Sequence, residues 1–155
     1  MAEQVQNPAD NEIEGQTGLR PFAYRRPEVE QSKAVVVLAR TDRMFASVQV
    51  LREGGENNLH SHPHQDGFWM VLSGRARFYG DGDELIADLG PHEGVLVPRG
   101  TRYWFESAAD ETLELLQIEA FSKPLRNRDE LINDRVNHSP LKPATLHAVS
   151  VDGRT

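Results

Sequence analysis

Short apolar segments, each ended by a turn, follow one another closely through the middle of this chain, and that pattern leaves few folds open. Residues 35–38 (VVVL), 44–51 (MFASVQVL), 68–72 (FWMVL) and 94–97 (GVLV) are rich in β-branched and apolar side chains. Between them stand Glu53-Gly54-Gly55, Gly74, Asp81-Gly82-Asp83, Gly90-Pro91 and Pro98-Arg99-Gly100, residue types that turn a backbone. With 75–79, 84–89, 102–106 and 112–120 added, the count reaches about eight to ten strands. Many short strands at close spacing make a β-sandwich or barrel.

Side-chain parity then assigns faces, because alternate residues of a strand point the same way. In 44–51, Met44, Ala46, Val48 and Val50 share one face, and Phe45, Ser47, Gln49 and Leu51 the other. Ala76 and Phe78 point inward, with Arg75, Arg77 and Tyr79 outward. Residues 68–72 are apolar on both faces, which is unusual for an antiparallel strand with one side in water. One face is expected to meet the core and the other a second subunit, so a homodimer is expected.

The ends differ from the middle. Residues 1–18 carry four acids, Glu3, Asp10, Glu12 and Glu14, and neither lysine nor arginine; they read as a disordered arm. The domain is expected over 19–126, entered by an extended segment in which Phe22 and Tyr24 share a side. Residues 127–155 are expected to pack on it as a helix and a tail. Asn127 as N-cap with Glu130 three positions on predicts the helix over 127–136, with Leu131, Ile132 and Val136 as its apolar stripe. The tail reads as irregular, with a late strand.

Composition removes several functions. Without cysteine the chain has no disulfide, thiolate metal site, iron–sulfur cluster or cysteine nucleophile. That fits a reducing compartment. No apolar run approaches the ~20 residues of a membrane span, and no basic then apolar leader opens the chain. A cytoplasmic protein with no membrane partner is expected. The net charge of −7 argues against nucleic acid, which needs a basic surface. No Gly-rich phosphate loop is present.

Chemistry concentrates in residues 54–74, GGENNLHSHPHQDGFWMVLSG. His60, His62 and His64 alternate, and Asp66 continues the alternation. His60 and His62 on an extended backbone present two imidazoles to one side, which is half of a transition-metal site. His92, His138 and His147 stand in turn or tail contexts and are expected at the surface. Ser47, Gln49, Gln117 and Glu119 interrupt apolar strands, where they could orient a polar small-molecule ligand. Trp69 and Phe105 are the aromatic candidates for contact with that ligand.

Gly54, His60, His62 and Gly74, followed by Pro98 and Gly100, resemble the two short motifs of the cupin superfamily, in its small single-domain, RmlC-like form. The resemblance covers roughly residues 35–120. It implies an all-β double-stranded β-helix, the jelly-roll cupin barrel. By the motifs' spacing, the family's glutamate falls on Gly67, its third histidine on Tyr103, its asparagine on Ser107 and an opening glycine on His92. The resemblance implies a divalent transition metal (Fe, Mn, Ni or Zn) on His60 and His62. Asp66, His64 or Tyr103 is left to complete the site. A bulge beside Gly67 would swing Asp66 inward and give a 2-His-1-carboxylate triad suited to Fe(II). Tyr103 would line the pocket and serve as ligand or as acid/base. The implied function is a metal-dependent enzyme acting on an oxygenated organic molecule as dioxygenase, isomerase, cyclase or lyase. The alternative is a metal-free binding protein or isomerase in which Asp66 and Tyr103 act by hydrogen bonding.

Overall fold

The computed structural model describes residues 17–28, 30–108, 110–125, 134–140 and 149–152. Among these, the strands are β1 (Lys33–Arg40), β2 (Met44–Leu51), β3 (Gly55–Ser61), β4 (Gln65–Ser73), β5 (Ala76–Tyr79) and β6 (Leu85–Leu89). They continue with β7 (Gly94–Val97), β8 (Tyr103–Ser107), β9 (Leu113–Phe121), β10 (Val136–Asn137) and β11 (Val149–Asp152). A six-stranded sheet runs β11-β1-β2-β9-β4-β7 and a five-stranded sheet runs β10-β3-β8-β5-β6. The neighbours are antiparallel except β1 and β11. This is the jelly roll that the resemblance implies, built from the closely spaced short strands that the turns predict.

The inner faces follow parity. Leu51, Trp69, Val71, Phe78, Phe105, Leu113 and Leu115 form the main core. Ala76 and Phe78 are buried as expected, at 0% and 2% exposure. A second apolar cluster, Ala34, Val36, Val48 and Val50, lies on the other face of the large sheet, with Tyr24, Leu38, Leu72 and Leu116 packed against it. So the extended segment before β1 covers part of a face that would otherwise meet water. Further along that face, Phe68 on β4 and Leu96 on β7 are cross-strand neighbours and stay exposed at 42% and 66%.

A polar clamp fastens the segment. The Tyr24 hydroxyl donates to Glu114 Oε1, and Arg26 donates to Glu114 Oε2 at 2.8 Å. The Arg26 hydrogen bond, outweighing burial, holds the Glu114 carboxyl below its usual range. Burial, then the bond to Glu114, raises the Tyr24 hydroxyl. Because the folded-state pKa of Glu114 is depressed, the clamp's contribution is complete above the ordinary carboxylate value. It is lost as pH falls through the depressed one. Glu114→Gln is therefore expected to lower stability by about 1–2 kcal/mol at neutral pH. Urea unfolding at pH 7 and in acid should show the gap between the two proteins shrinking as the wild-type carboxyl protonates.

The C-terminal expectation needs correcting. Residues 127–133 lie outside the described residues, but the predicted helix does not reach Val136. Val136 and Asn137 form β10 and pair with Ser61 and His60 of β3. An open strand edge with unpaired amides and carbonyls favours another strand over the end of a helix. Asn137 Oδ1 also accepts from Asn58 Nδ2 at 2.7 Å. The late strand of the tail is β11, parallel to β1; residues 141–148 and the first sixteen residues of the arm lie outside the described residues. No helix among the described residues is long and apolar enough to cross a membrane.

Candidate functional site

Strand β3 and the turn after it carry the histidines. His60 is cross-strand from Tyr103 on β8 and is 1% exposed. Its Nδ1 lies 2.8 Å from the Asn58 carbonyl oxygen. A carbonyl only accepts, so Nδ1 carries the proton, and in the neutral ring Nε2 holds the lone pair. The His60 and His62 ring centroids are 5.2 Å apart and near perpendicular. Tyr103 lies 4.5 Å from His60 and 6.5 Å from His62 by centroid, and its ring stacks on Phe78.

His62 and Tyr103 border a small pocket with a cavity volume of about 10 Å³, room for about one water. His62 and Tyr103 form one wall. Gly67, Trp69, Gln117 and Glu119 form the opposite wall, and Pro98 and Thr101 close one side. Behind the second wall runs a polar chain. Gln117 Oε1 accepts from Gln49 Nε2 at 2.8 Å and from Ser47 Oγ at 3.3 Å. With its oxygen so engaged, the Gln117 amide nitrogen donates to Glu119 Oε1. Trp69 is 1% exposed, and its Nε1 is buried with no hydrogen-bond partner.

A carboxylate not singled out in the sequence joins His62. Asp134, just before β10, has Oδ2 3.9 Å from His62 Nδ1. The same oxygen accepts from the His64 amide at 3.2 Å, and Oδ1 is buried without a partner. Its local sequence carries no signal for this role, since its position depends on β10 pairing with β3.

Other expected residues fall elsewhere. β4 pairs with β9 without a shift at Gly67, so no bulge turns Asp66 inward. Asp66 instead accepts from the Arg99 amide at 2.9 Å and secures the Pro98-Arg99-Gly100 turn. His64 is exposed and outside the pocket. Phe105 is 0% exposed and belongs to the core, 5.0 Å from the Trp69 ring. Ser47, Gln49, Gln117, Trp69 and Tyr103 are at or behind the pocket wall. His138 bonds Ser61 through Nε2 at 2.8 Å.

Among the described residues, no three histidine, aspartate or glutamate side chains converge as ligands. A resident transition metal ordinarily takes three or four protein donors. Two imidazoles beside a phenol do not fit that requirement.

The cupin domain family profile matches residues 47–119. The fold is similar to a protein with a double-stranded β-helix domain from Klebsiella pneumoniae, at 20% identity and TM-score 0.59, covering 79% of this chain and 100% of that one. It is also similar to the Cnp3 cupin domain of Schizosaccharomyces pombe, at 20% identity and TM-score 0.55, covering 64% and 68%. An RmlC-like cupin from Desulfovibrio desulfuricans aligns at 19% identity and TM-score 0.54, covering 68% and 97%. No protein of curated function matches the chain by sequence.

Proposed function

Taking residues 47–119 as a cupin domain, we propose that this chain is a metal-free isomerase-type enzyme moving a proton on a small oxygenated molecule. The observation that carries this reading is Asp134 Oδ2 at 3.9 Å from His62 Nδ1, in a pocket shared with Tyr103. A carboxylate behind an imidazole sets its tautomer and stabilises the imidazolium. His62 Nε2 then takes a proton from a carbon beside a carbonyl. Tyr103, on the same wall but 6.5 Å away by ring centroid, returns a proton from a second direction. His60 holds the Tyr103 ring in place. A 3.9 Å gap closes to a hydrogen bond with a small movement, as catalytic contacts do when substrate binds.

The test is solvent deuterium exchange into small hydroxy-carbonyl compounds, followed by NMR, with EDTA present. Exchange by the wild type is expected, falling about 10²–10⁴-fold in His62→Ala and clearly reduced in Asp134→Asn. No exchange with any compound, or exchange that EDTA abolishes, overturns the proposal.

A metal-dependent reading, with Fe, Mn, Ni or Zn on His60 and His62, is favoured by one observation, the Asn58 carbonyl that leaves His60 Nε2 as a donor. Elemental analysis after reconstitution with each metal decides between them. Substoichiometric metal is expected. One metal per chain that vanishes in His60→Ala/His62→Ala would replace the metal-free reading.

Two copies are proposed to pair across the apolar face at Phe68 and Leu96, and the absence of cysteine goes with a cytoplasmic setting. Light scattering at micromolar concentration should find a dimer that Leu96→Glu converts to monomer. A monomeric wild type contradicts the pairing.

A further inference from the structure

We propose that Arg135 and Asn137 are positioning residues that hold His60 in its Nδ1-protonated tautomer by fixing Asn58. The catalytic consequence rests on the proton transfer of the proposed function; the tautomer itself does not. Asn58 lies where the pairing of β3 with β8 shifts, between Glu56 and His60. A bulge takes a residue out of the ladder and re-aims it, and here the Asn58 carbonyl oxygen accepts from His60 Nδ1 at 2.8 Å. The tautomer of a buried ring therefore depends on where one irregular peptide points.

The groups that aim this peptide come from the far end of the chain. Asn58 is 0% exposed, and both ends of its side-chain amide are engaged. Arg135 Nη2 donates to Asn58 Oδ1. Asn58 Nδ2 donates to Asn137 Oδ1 at 2.7 Å, and Arg135 Nε donates to the same oxygen at 2.8 Å. A guanidinium only donates, so the Asn58 amide faces it with its oxygen and its orientation is set. The following peptide is held from the same side. The Leu59 amide donates to Ser139 Oγ at 2.9 Å, and the Leu59 carbonyl accepts from the His138 amide at 2.7 Å. Residues 135–139 thus hold the bulge by side chain and by backbone. With Nδ1 protonated, Nε2 of the neutral ring only accepts, and the Tyr103 ring is 4.5 Å away by centroid. An accepting neighbour favours the protonated phenol, the form that returns a proton.

The experiment reads the His60 ring nitrogens by ¹⁵N NMR at about pH 8, above the ordinary imidazole pKa of about 6.5, with the ring assigned by its loss in His60→Gln. The wild type is expected to show the Nδ1-protonated form alone. Arg135→Ala leaves Asn58 Oδ1 buried without its donor, a cost that turns the amide. The His60 signals should then move to the average of two tautomers, and deuterium incorporation into substrate should fall by up to about a hundredfold. Arg135→Lys keeps the charge but not the two-pronged donor and should shift the signals in the same direction. Val136→Ala is the control on the same strand, because its side chain is 43% exposed; it should keep the wild-type spectrum. An Nε2-protonated wild type, an Arg135→Ala protein that keeps the Nδ1-protonated form, or a change as large in Val136→Ala overturns the proposal. So does a changed tautomer with deuterium incorporation unaltered. A tautomer that responds to Arg135 in a protein without any incorporation supports the positioning and fails the proton transfer, so the two are told apart.

Discussion

Phe105→Ala is expected to destabilise the fold by about 3–5 kcal/mol, the cost of removing a large aromatic ring from a core that does not close over the hole. Phe105 is fully buried. Its ring lies 5.0 Å from Trp69 and stacks on Phe78 at 5.2 Å, so it joins the two sheets at the centre of the main cluster. Domains are commonly stable by only ~5–15 kcal/mol, so the loss would take a large share. Urea unfolding should show the midpoint falling with the slope held, which marks a stability change and not a change of denatured state. Phe105→Leu refills part of the space and should cost much less. A loss below about 1 kcal/mol in Phe105→Ala would be too small for a core ring. It would return Phe105 to the ligand-contact role that its aromatic character suggested.

Gly74 carries the second large effect. It closes the turn from β4 to β5 at φ +86°, where only glycine sits without strain. A Cβ there would also stand 2.7 Å from the Thr112 carbonyl oxygen and 3.0 Å from Leu113 Cα, atoms of backbone that β9 holds in place. Gly74→Asn is expected to cost about 3 kcal/mol, the upper end of backbone strain. Gly82 is the control, since it has φ +66° and nothing within 4 Å of a built Cβ. Asparagine tolerates a left-handed backbone locally, so Gly82→Asn should cost under about 1 kcal/mol. Thermal unfolding of both variants compares them. Equal losses would mean that the contact with Thr112 contributes nothing.

Much of this architecture can be read one strand at a time. Met44–Leu51 and Gly94–Val97 are strands at the predicted bounds, because β-branched composition and a turn at each end are local facts. The inward placing of Ala76 and Phe78 needs only a period of two. Asp66 shows where that reasoning stops. Sequence spacing permitted a bulge at Gly67 that would have turned it inward, but β9 pairs through that point in register, and a one-residue difference moves a side chain to the opposite face. Phe105 shows the same limit in another way. Its aromatic character suggested ligand contact, yet whether the ring meets core or pocket depends on Trp69 and Phe78 from other strands. Asp134 was beyond reach, because the residues around it have a helical pattern while the edge of β3 draws Val136 and Asn137 into a sheet.

The sequence by itself determined the barrel, the faces of its strands and the pairing of His60 with His62, since alternation, turn chemistry and motif spacing are properties of neighbouring residues. Only the tertiary structure decided what stands across from them. Asp134 reaches His62 by strand pairing over seventy residues away, Glu119 comes opposite Gly67 by register, and Asp66 is held at the Arg99 amide. Register and long-range pairing are settled by the hydrogen-bonding and packing of whole sheets, so no local stretch of the chain contains them.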